Sequence, residues 1–144
     1  MTEIDAALVR RKLRRIRANL DRLADVESLS LDAYRAAPFT PKATERLLQE
    51  TVDAAVDVNL HVLRAGAGEP PPDYYESFVR LGSAGVIPEE LARDLAPSTG
   101  LRNRIVHEYD ELDDAIILAA VSRARRGFAQ YVEAVERHLT ALGV

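Results

Sequence analysis

The spacing of apolar residues constrains this chain more than any other feature of its sequence. Along the first segment they recur at alternating intervals of three and four residues, which is the spacing of one face of an α-helix. The positions concerned are Ala6, Val9, Leu13, Ile16, Leu20 and Leu23. This pattern predicts a first helix, capped by Asp5 or Thr2, whose narrow apolar face packs along a partner helix.

A second segment shows the same helical spacing. The helix is predicted to be capped near Thr40, with Pro41 as its first residue, after Pro38 has ended the preceding segment. It is predicted to end before the glycine- and proline-rich stretch 66–72. The residues on the predicted core-facing stripe of this helix are Leu48, Val52, Ala55, Val56, Asn59, Val62 and Leu63.

The last long helix is predicted from Asp113 or Asp114 to about Leu142. Its stripe is broad enough for packing between two neighbours, and comprises Ile117, Val121, Ala124, Phe128, Tyr131, Val135 and Leu142, widened by Val132 and Leu139. Short helices are expected around Asp73–Leu81 and Pro88–Leu95, and no strand-type alternation persists anywhere. The predicted fold is all-α: an antiparallel bundle of four main helices, including one near residue 100, plus short connecting helices.

Composition limits the possible functions. With 144 residues, 47% of them hydrophobic, the chain is expected to form one domain over 1–144. The net charge of −4 argues against coating nucleic acid through bulk charge, and the absence of cysteine excludes disulfides and thiolate chemistry. The polar start resembles no signal peptide, and the apolar run Ala115–Val121 is far short of the ~20 residues of a membrane span. We therefore expect a cytoplasmic protein without membrane attachment.

Residues 101–109 concentrate the chemically capable side chains. On a helix, Asn103 and His107 lie four residues apart on one face and Arg102 lies beside Asn103, so these three groups can converge. Tyr109 joins them only if the helix stops there. The acidic stretch 110–114 favours such a stop, because carboxylates belong in the first turn of the next helix.

These residue types suit RNA cleavage. An imidazole exchanges protons near neutral pH, so His107 can accept a proton from a ribose 2′-hydroxyl or donate one to the leaving 5′-oxygen. The Arg102 guanidinium can hold the phosphodiester and stabilise its transition state, while Asn103 positions His107 or binds phosphate. Because RNA carries its own nucleophile, these groups suffice for metal-independent cleavage that leaves a 2′,3′-cyclic phosphate, and no cofactor is needed.

Other interpretations of the motif remain open at this point. Arg102 can pair with a carboxylate, Asn103 and His107 can link helices, and Tyr109 can pack in the core, in which case the motif is structural. A cluster of carboxylates also admits a magnesium site, although no ligand spacing singles one out: Glu108, Asp110, Glu111, Asp113 and Asp114.

Basic residues are concentrated in the first helix. Six of the eight residues from 10 to 17 are basic: Arg10, Arg11, Lys12, Arg14, Arg15 and Arg17. They form either a solvated helix face or a wall that binds RNA phosphates. The group Arg123, Arg125 and Arg126 is interpreted as a solvated face, His61 as a structural residue more readily than a catalytic one, and His138 as non-catalytic.

Several blocks in order along the chain carry a family resemblance. They are Arg46–Glu50, Ala54–His61, Tyr75–Phe78, Leu81–Pro88 and the motif at 101–109. Together they make the chain, from about Ile4 to Leu142, resemble the HepT-like proteins of the all-helical HEPN superfamily.

The resemblance implies a function as well as a fold. Arg102 and His107 match the catalytic pair of the family's R-x4-H-x-Y motif, and Asn103 matches the polar residue that follows the Arg. It implies an RNA-cleaving toxin that forms a homodimer, with two motif copies bordering one basic cleft. It also implies that Tyr109 accepts AMP from a cognate minimal nucleotidyltransferase, the antitoxin. The alternative is a non-catalytic helical module that binds a nucleotide or the nucleotidyltransferase.

Overall fold

The computed structural model describes residues 3–66, 68–107 and 112–144. Within them the chain forms seven helices and no strand, which confirms the all-α fold class. The three long helices are α1 (Ala6–Glu27), α3 (Thr40–Ala65) and α7 (Asp114–Leu142). The short ones are α2 (Leu31–Ala36), α4 (Tyr74–Ser83), α5 (Glu89–Leu95) and α6 (Ser98–His107).

Helix α1 runs antiparallel to α3. Early residues of α1 contact late residues of α3: the backbone N–H of Asp5 donates to His61 Nε2 at 2.8 Å, and Lys12 Nζ binds Asp57 Oδ2 at 2.9 Å. Further along, Asn19 Nδ2 donates to the Thr51 hydroxyl at 3.4 Å. His61 therefore has the structural role that its position in a helix suggested.

Helix α7 also runs antiparallel to α1, on its other flank. Arg10 of α1 pairs with Glu136 at 3.4 Å, whereas Arg125 of α7 donates to the Leu20 carbonyl at 3.1 Å and pairs with Glu27. The hydrogen bond from Arg125 is the main cause that lowers the pKa of Glu27. Because α1 is antiparallel to both neighbours, α3 and α7 run in the same direction.

The helix starts follow the capping chemistry of the sequence. Asp5 Oδ1 accepts from the Leu8 N–H at 3.0 Å, which confirms its predicted role, and Asp113 Oδ1 accepts from the Ala115 N–H at 2.8 Å at the start of α7. The predicted start of α3 was wrong by one residue. Phe39 precedes the helix, Thr40 is its first residue, and no side chain caps it.

Most residues predicted on the apolar faces of the long helices are buried, but Leu63 and Ala124 are only partly buried and Leu142 is exposed. Every stripe position of α1 after Ala6 is buried, and α7 buries Ile117, Val121, Phe128, Tyr131 and Val135. Leu142 was expected on this buried stripe, but 52% of its side chain is exposed. It lies in the last turn of α7, immediately before Gly143, whose φ of 77° ends the helix.

A buried polar network joins α7, α3 and α4. The Tyr131 hydroxyl donates toward Asn59 Oδ1 at 2.5 Å and the Ala55 carbonyl at 3.0 Å, and Asn59 Nδ2 donates to Ser77 Oγ at 3.1 Å. Ser77 Oγ donates in turn to the Tyr74 carbonyl at 2.7 Å, at the start of α4. Burial raises the pKa of Tyr131 well above its usual range, so the phenol remains a donor. The network fixes α4 against α3.

The short helix α2 was not predicted from the sequence. It is capped by Ser30 and buries only Tyr34. Burial, then the nearby carboxylates of Asp114 and Glu45, raise the pKa of Tyr34 to about 12. No hydrogen bond of normal geometry joins the Tyr34 hydroxyl to a residue of the described part of the chain. The neighbouring Thr44 hydroxyl donates to the Thr40 carbonyl at 2.7 Å.

No helix in the described ranges is both long and apolar enough to cross a membrane.

Candidate active site

Helix α6, which carries most of the motif, presents a largely polar surface. It follows α5 closely, and its first turn is tied back to that helix, since Ser98 Oγ donates to the Leu95 carbonyl at 2.6 Å. Only Thr99 and Ile105 of this helix are buried. The packing of α6 on α3 and α4 leaves Asn103, Arg104 and His107 exposed and Arg102 half-buried.

Arg102 is held by three neighbours. Its Nε donates to Asp53 Oδ1 on α3 at 2.7 Å, its Nη1 donates to Asn103 Oδ1 at 3.3 Å, and its Cζ lies 5.5 Å from the centroid of the Tyr74 ring on α4. Only 18% of the Arg102 side chain is exposed, against 35% of Asp53. The Asp53 carboxylate accepts a charge-assisted hydrogen bond from one edge of the guanidinium, and the Tyr74 ring lies close to it. These two contacts together fix the orientation of the guanidinium.

The Arg102 guanidinium has further N–H donors beyond the two that bind Asp53 and Asn103. Arginine has five N–H groups, of which Asp53 and Asn103 use one each. Its Nη2 makes no hydrogen bond within the described residues. Arg102 can therefore bind a phosphate oxygen without releasing Asp53.

His107 lies at the end of α6 and is exposed. It makes no side-chain hydrogen bond or ion pair with any residue of the described ranges. The structure thus brings Arg102 and Asn103 into contact, as the helical spacing predicted, but does not link His107 to either. The imidazole is open to solvent and to a bound molecule.

A cavity of about 130 Å³ lies beneath α6. It separates α6 from α7, and its apolar lining includes Leu48, Leu95, Ile105 and Phe128. Arg102 borders the same cavity. Helix α6 is consequently attached to the bundle through α3 and α4 more than through α7.

Several predictions concern residues outside the described ranges. Tyr109 is one of them, together with Glu108, Asp110 and Glu111, so its placement beside Arg102 stays a prediction. The other two carboxylates proposed as magnesium ligands have structural partners: Asp113 caps α7, and Asp114 pairs with Arg35 at 3.5 Å. In the described part of the chain no three His, Asp or Glu side chains converge as a metal-binding group.

Comparison with known proteins identifies the family. A family model described as ribonuclease HepT-like matches residues 16–135. The chain belongs to the HepT-like ribonuclease family. It is accordingly a member of a family of RNA-cleaving enzymes with the HEPN fold.

The HepT-like relatives include one with high coverage. A tRNA nuclease HepT from Aphanizomenon flos-aquae (strain 2012/KM1/D3) is 37% identical over 142 residues, covering 99% of this chain and 97% of that protein. Among solved structures, a tri-AMPylated Shewanella oneidensis HEPN toxin in complex with MNT antitoxin superposes with a TM-score of 0.81 at 23% identity, covering 95% of this chain and 99% of that one.

A second solved structure, a toxin–antitoxin with AMP-PNP, gives a TM-score of 0.82 at 22% identity, over 91% of this chain and 98% of that one. At these identities the similarity shows that the fold is shared.

Two residues of this HepT-like site were not found by sequence reasoning. Asp53 and Tyr74 both contact Arg102, but they lie on other helices, and neither belongs to a local motif. Asp53 stands one residue before the block 54–61 that carried the family resemblance. No residue spacing in the sequence could have paired it with Arg102.

Proposed function

We propose that this chain is the toxin of a toxin–antitoxin pair and cleaves RNA with Arg102 and His107 as its catalytic residues. Membership of the HepT-like ribonuclease family and the relative named tRNA nuclease HepT support this proposal. The observation that carries it is the Arg102 guanidinium, which Asp53 and Tyr74 hold in place with donors still available on an exposed helix. Because the proposed substrate is cellular RNA, the proposed location is the cytoplasm.

The proposed reaction is an internal phosphoryl transfer. The ribose 2′-oxygen attacks phosphorus, a P–O2′ bond forms, the P–O5′ bond breaks, and the products are a 2′,3′-cyclic phosphate and a 5′-hydroxyl. The 2′-hydroxyl loses a proton and the leaving 5′-oxygen gains one; His107 performs one of these two transfers, and solvent water or the second subunit's histidine performs the other. Arg102 donates to the non-bridging oxygens as their charge increases, and Asn103 orients Arg102 or binds the same phosphate. The RNA itself supplies the nucleophile, so the scheme requires neither a metal ion nor a cofactor.

Asp53 acts in this scheme as a positioning residue. It does not reach the phosphate in the proposed reaction, but its carboxylate fixes the edge of the guanidinium through Nε. Preorganised donors are more effective than mobile ones because they need no reorientation as charge develops in the transition state.

The proposed active form is a homodimer in which two copies of the motif border one cleft. One side chain able to transfer protons is exposed on each α6, and His107 has no bond to Arg102 of its own chain. A second copy would bring a further histidine and arginine to the same phosphate. The basic residues of α1 are proposed to line the approach to this cleft.

Regulation is proposed to act through Tyr109, as the site at which a cognate nucleotidyltransferase antitoxin attaches AMP. The support is the HEPN toxin described as tri-AMPylated and bound to MNT antitoxin, which shares this fold. Adenylate next to Arg102 would add negative charge and bulk where the substrate phosphate binds. The modified protein would therefore be inactive.

The experiment that tests the function compares the wild type with His107→Ala and with a control histidine variant, His138→Ala. The RNA substrate is a tRNA pool, and intact mass establishes whether each preparation is free of adenylate. Loss of a general acid or base lowers the rate by roughly 10²–10⁴-fold, so His107→Ala is expected to lose cleavage while His138→Ala retains it. Cleavage by His107→Ala at a wild-type rate would refute the proposal.

Co-expression with a neighbouring nucleotidyltransferase tests the regulation separately. An added adenylate mass that maps to Tyr109, together with lost cleavage, is the expected result. Adenylate on another residue, or unchanged cleavage after Tyr109 is modified, would contradict it.

A further inference from the structure

Two large aromatic side chains are exposed at the start of α4, beside the catalytic helix. Tyr74 is 40% exposed and Tyr75 is 47% exposed. Phe78 of the same helix, by contrast, is completely buried in an aromatic cluster with Phe128 and Tyr131. The two tyrosines are therefore not needed to fill the core, and Tyr74 lies against Arg102.

We propose that Tyr74 is a stacking platform for an unpaired base of the RNA substrate, next to the phosphate that Arg102 binds. This inference rests on the proposed function. Proteins that recognise single-stranded RNA stack its bases on exposed aromatic rings, and a phosphate-binding group within one nucleotide of such a ring holds base and backbone together. The Arg102 Cζ is 5.5 Å from the ring centroid, and Tyr74 as a residue remains 40% exposed, so a base can reach it from solvent.

The platform is rigid before RNA binds. Asp73 caps α4 by accepting from the Glu76 N–H at 2.8 Å, and Ser77 Oγ holds the Tyr74 carbonyl at 2.7 Å. Ser77 is in turn bonded to Asn59 at 3.1 Å in the buried network. Because the backbone that carries Tyr74 is fixed on both sides, a stacked base loses little binding energy to ordering of the protein.

Tyr75 provides a matched control on the adjacent residue. It has the same side chain and is at least as exposed, but one residue along a helix turns the side chain by about 100°, and it makes no ring contact with a described cation. If any exposed tyrosine sufficed for RNA contact, both positions would respond alike. The proposal requires that only Tyr74 respond.

The first test uses fluorescence, because the chain contains no tryptophan. Tyr74→Trp and Tyr75→Trp are each made in the His107→Ala background, so that RNA binds without being cut, and each is titrated with a short oligouridylate and with an RNA duplex. Fluorescence anisotropy of labelled RNA reports binding independently. The expected result is that the single strand alone quenches the indole of the Tyr74→Trp variant, with little change in the Tyr75→Trp variant.

Three results would each overturn the proposal. They are equal quenching in both variants, equal quenching by the duplex and the single strand, and RNA binding without quenching in the Tyr74→Trp variant.

The second test is kinetic. Loss of one base–aromatic stack weakens binding by roughly 5- to 150-fold, so Tyr74→Leu is expected to raise the KM for a single-stranded substrate by that factor. Tyr74→Phe should restore the KM to within about twofold, since the ring is retained, and Tyr75→Leu should match the wild type. If the wild type cleaves RNA and Tyr74→Leu has an unchanged KM, the platform alone is refuted. If the wild type neither binds nor cleaves RNA, the proposed function is refuted and the platform with it.

Discussion

Replacing Asp53 by asparagine is the most direct test of how the site is built. The carboxylate accepts a charge-assisted hydrogen bond from Arg102 Nε at 2.7 Å. Asparagine keeps the shape and one acceptor oxygen but removes the charge, so a neutral hydrogen bond replaces the ionic one. The guanidinium remains on α6 and remains charged. The variant therefore changes how firmly Arg102 is oriented, while leaving the proposed catalytic groups in place.

The size of the effect follows from the geometry. Hydrogen bonds to charged groups contribute about 1.5–3 kcal/mol and neutral ones about 1 kcal/mol. The two differ by about 0.5–2 kcal/mol. Because 35% of the Asp53 side chain is exposed, water screens the pair, and we expect a difference near the middle of this range, about 1.3 kcal/mol. If this orientation matters mainly in the transition state, kcat should fall by about tenfold, with KM little changed.

The assay is steady-state cleavage of a labelled RNA, with the melting temperature measured in parallel. Asp57→Asn is the matched control. Asp57 lies one turn further along α3 and pairs with Lys12 of α1 at 2.9 Å, not with a residue of α6. A double variant completes the test, since Asp53→Asn should have no further effect once Arg102 is replaced by alanine. The reasoning fails if Asp53→Asn keeps full kcat, or if Asp57→Asn loses as much.

Two further predictions concern stability. Tyr131→Phe should lower the free energy of unfolding, measured in urea, by about 1–3 kcal/mol, because it leaves Asn59 Oδ1 buried without its donor. Tyr34→Phe is the control and should be nearly neutral, since the Tyr34 hydroxyl makes no hydrogen bond of normal geometry within the described chain. Equal losses in the two variants would contradict this account. Arg125 lowers the pKa of Glu27 below the ordinary glutamate pKa of 4.5. The ion pair therefore stabilises the fold fully at pH values above 4.5, and this stabilisation is lost as the pH falls through the lowered pKa. Glu27→Gln should therefore melt below the wild type at pH 7 but not at the acidic end of the titration, and a pH-independent difference would be inconsistent with the ion pair.

The sequence predicted the long helices because each contributes a full stripe to the core. A helix of 22 to 29 residues repeats its period many times, so the pattern is unambiguous. Helix α2 has six residues and buries one, Tyr34, so it has no period to detect. The start of α3 was displaced by one residue because a threonine before a proline resembles a cap. In the structure Thr40 uses its carbonyl, not its hydroxyl, to bind Thr44.

The contacts of the candidate site also differ in whether local sequence spacing could predict them. Local spacing on one helix predicted that Arg102, Asn103 and His107 can converge. Arg102 and Asn103 do so at 3.3 Å, whereas no hydrogen bond joins His107 to either of them. Spacing could not predict Asp53 or Tyr74, which reach Arg102 only because α3 and α4 pack on α6. The residues proposed to perform the chemistry lie in one local motif, whereas the groups that orient Arg102 depend on tertiary packing.

The pairing of Arg102 with Asp53 has a consequence for substrate affinity. A carboxylate 2.7 Å from the guanidinium cancels much of its charge at a distance, so we expect Arg102 to attract RNA weakly from solution and to act through directed hydrogen bonds at close range. Affinity for the RNA backbone must then come from other cations. On α1, Lys12 and Arg10 are also paired with carboxylates, whereas Arg11, Arg14 and Arg15 are exposed. We therefore predict a separation of tasks in the proposed toxin: exposed arginines of α1 would gather RNA, and the neutralised, oriented Arg102 would take part in cleaving it.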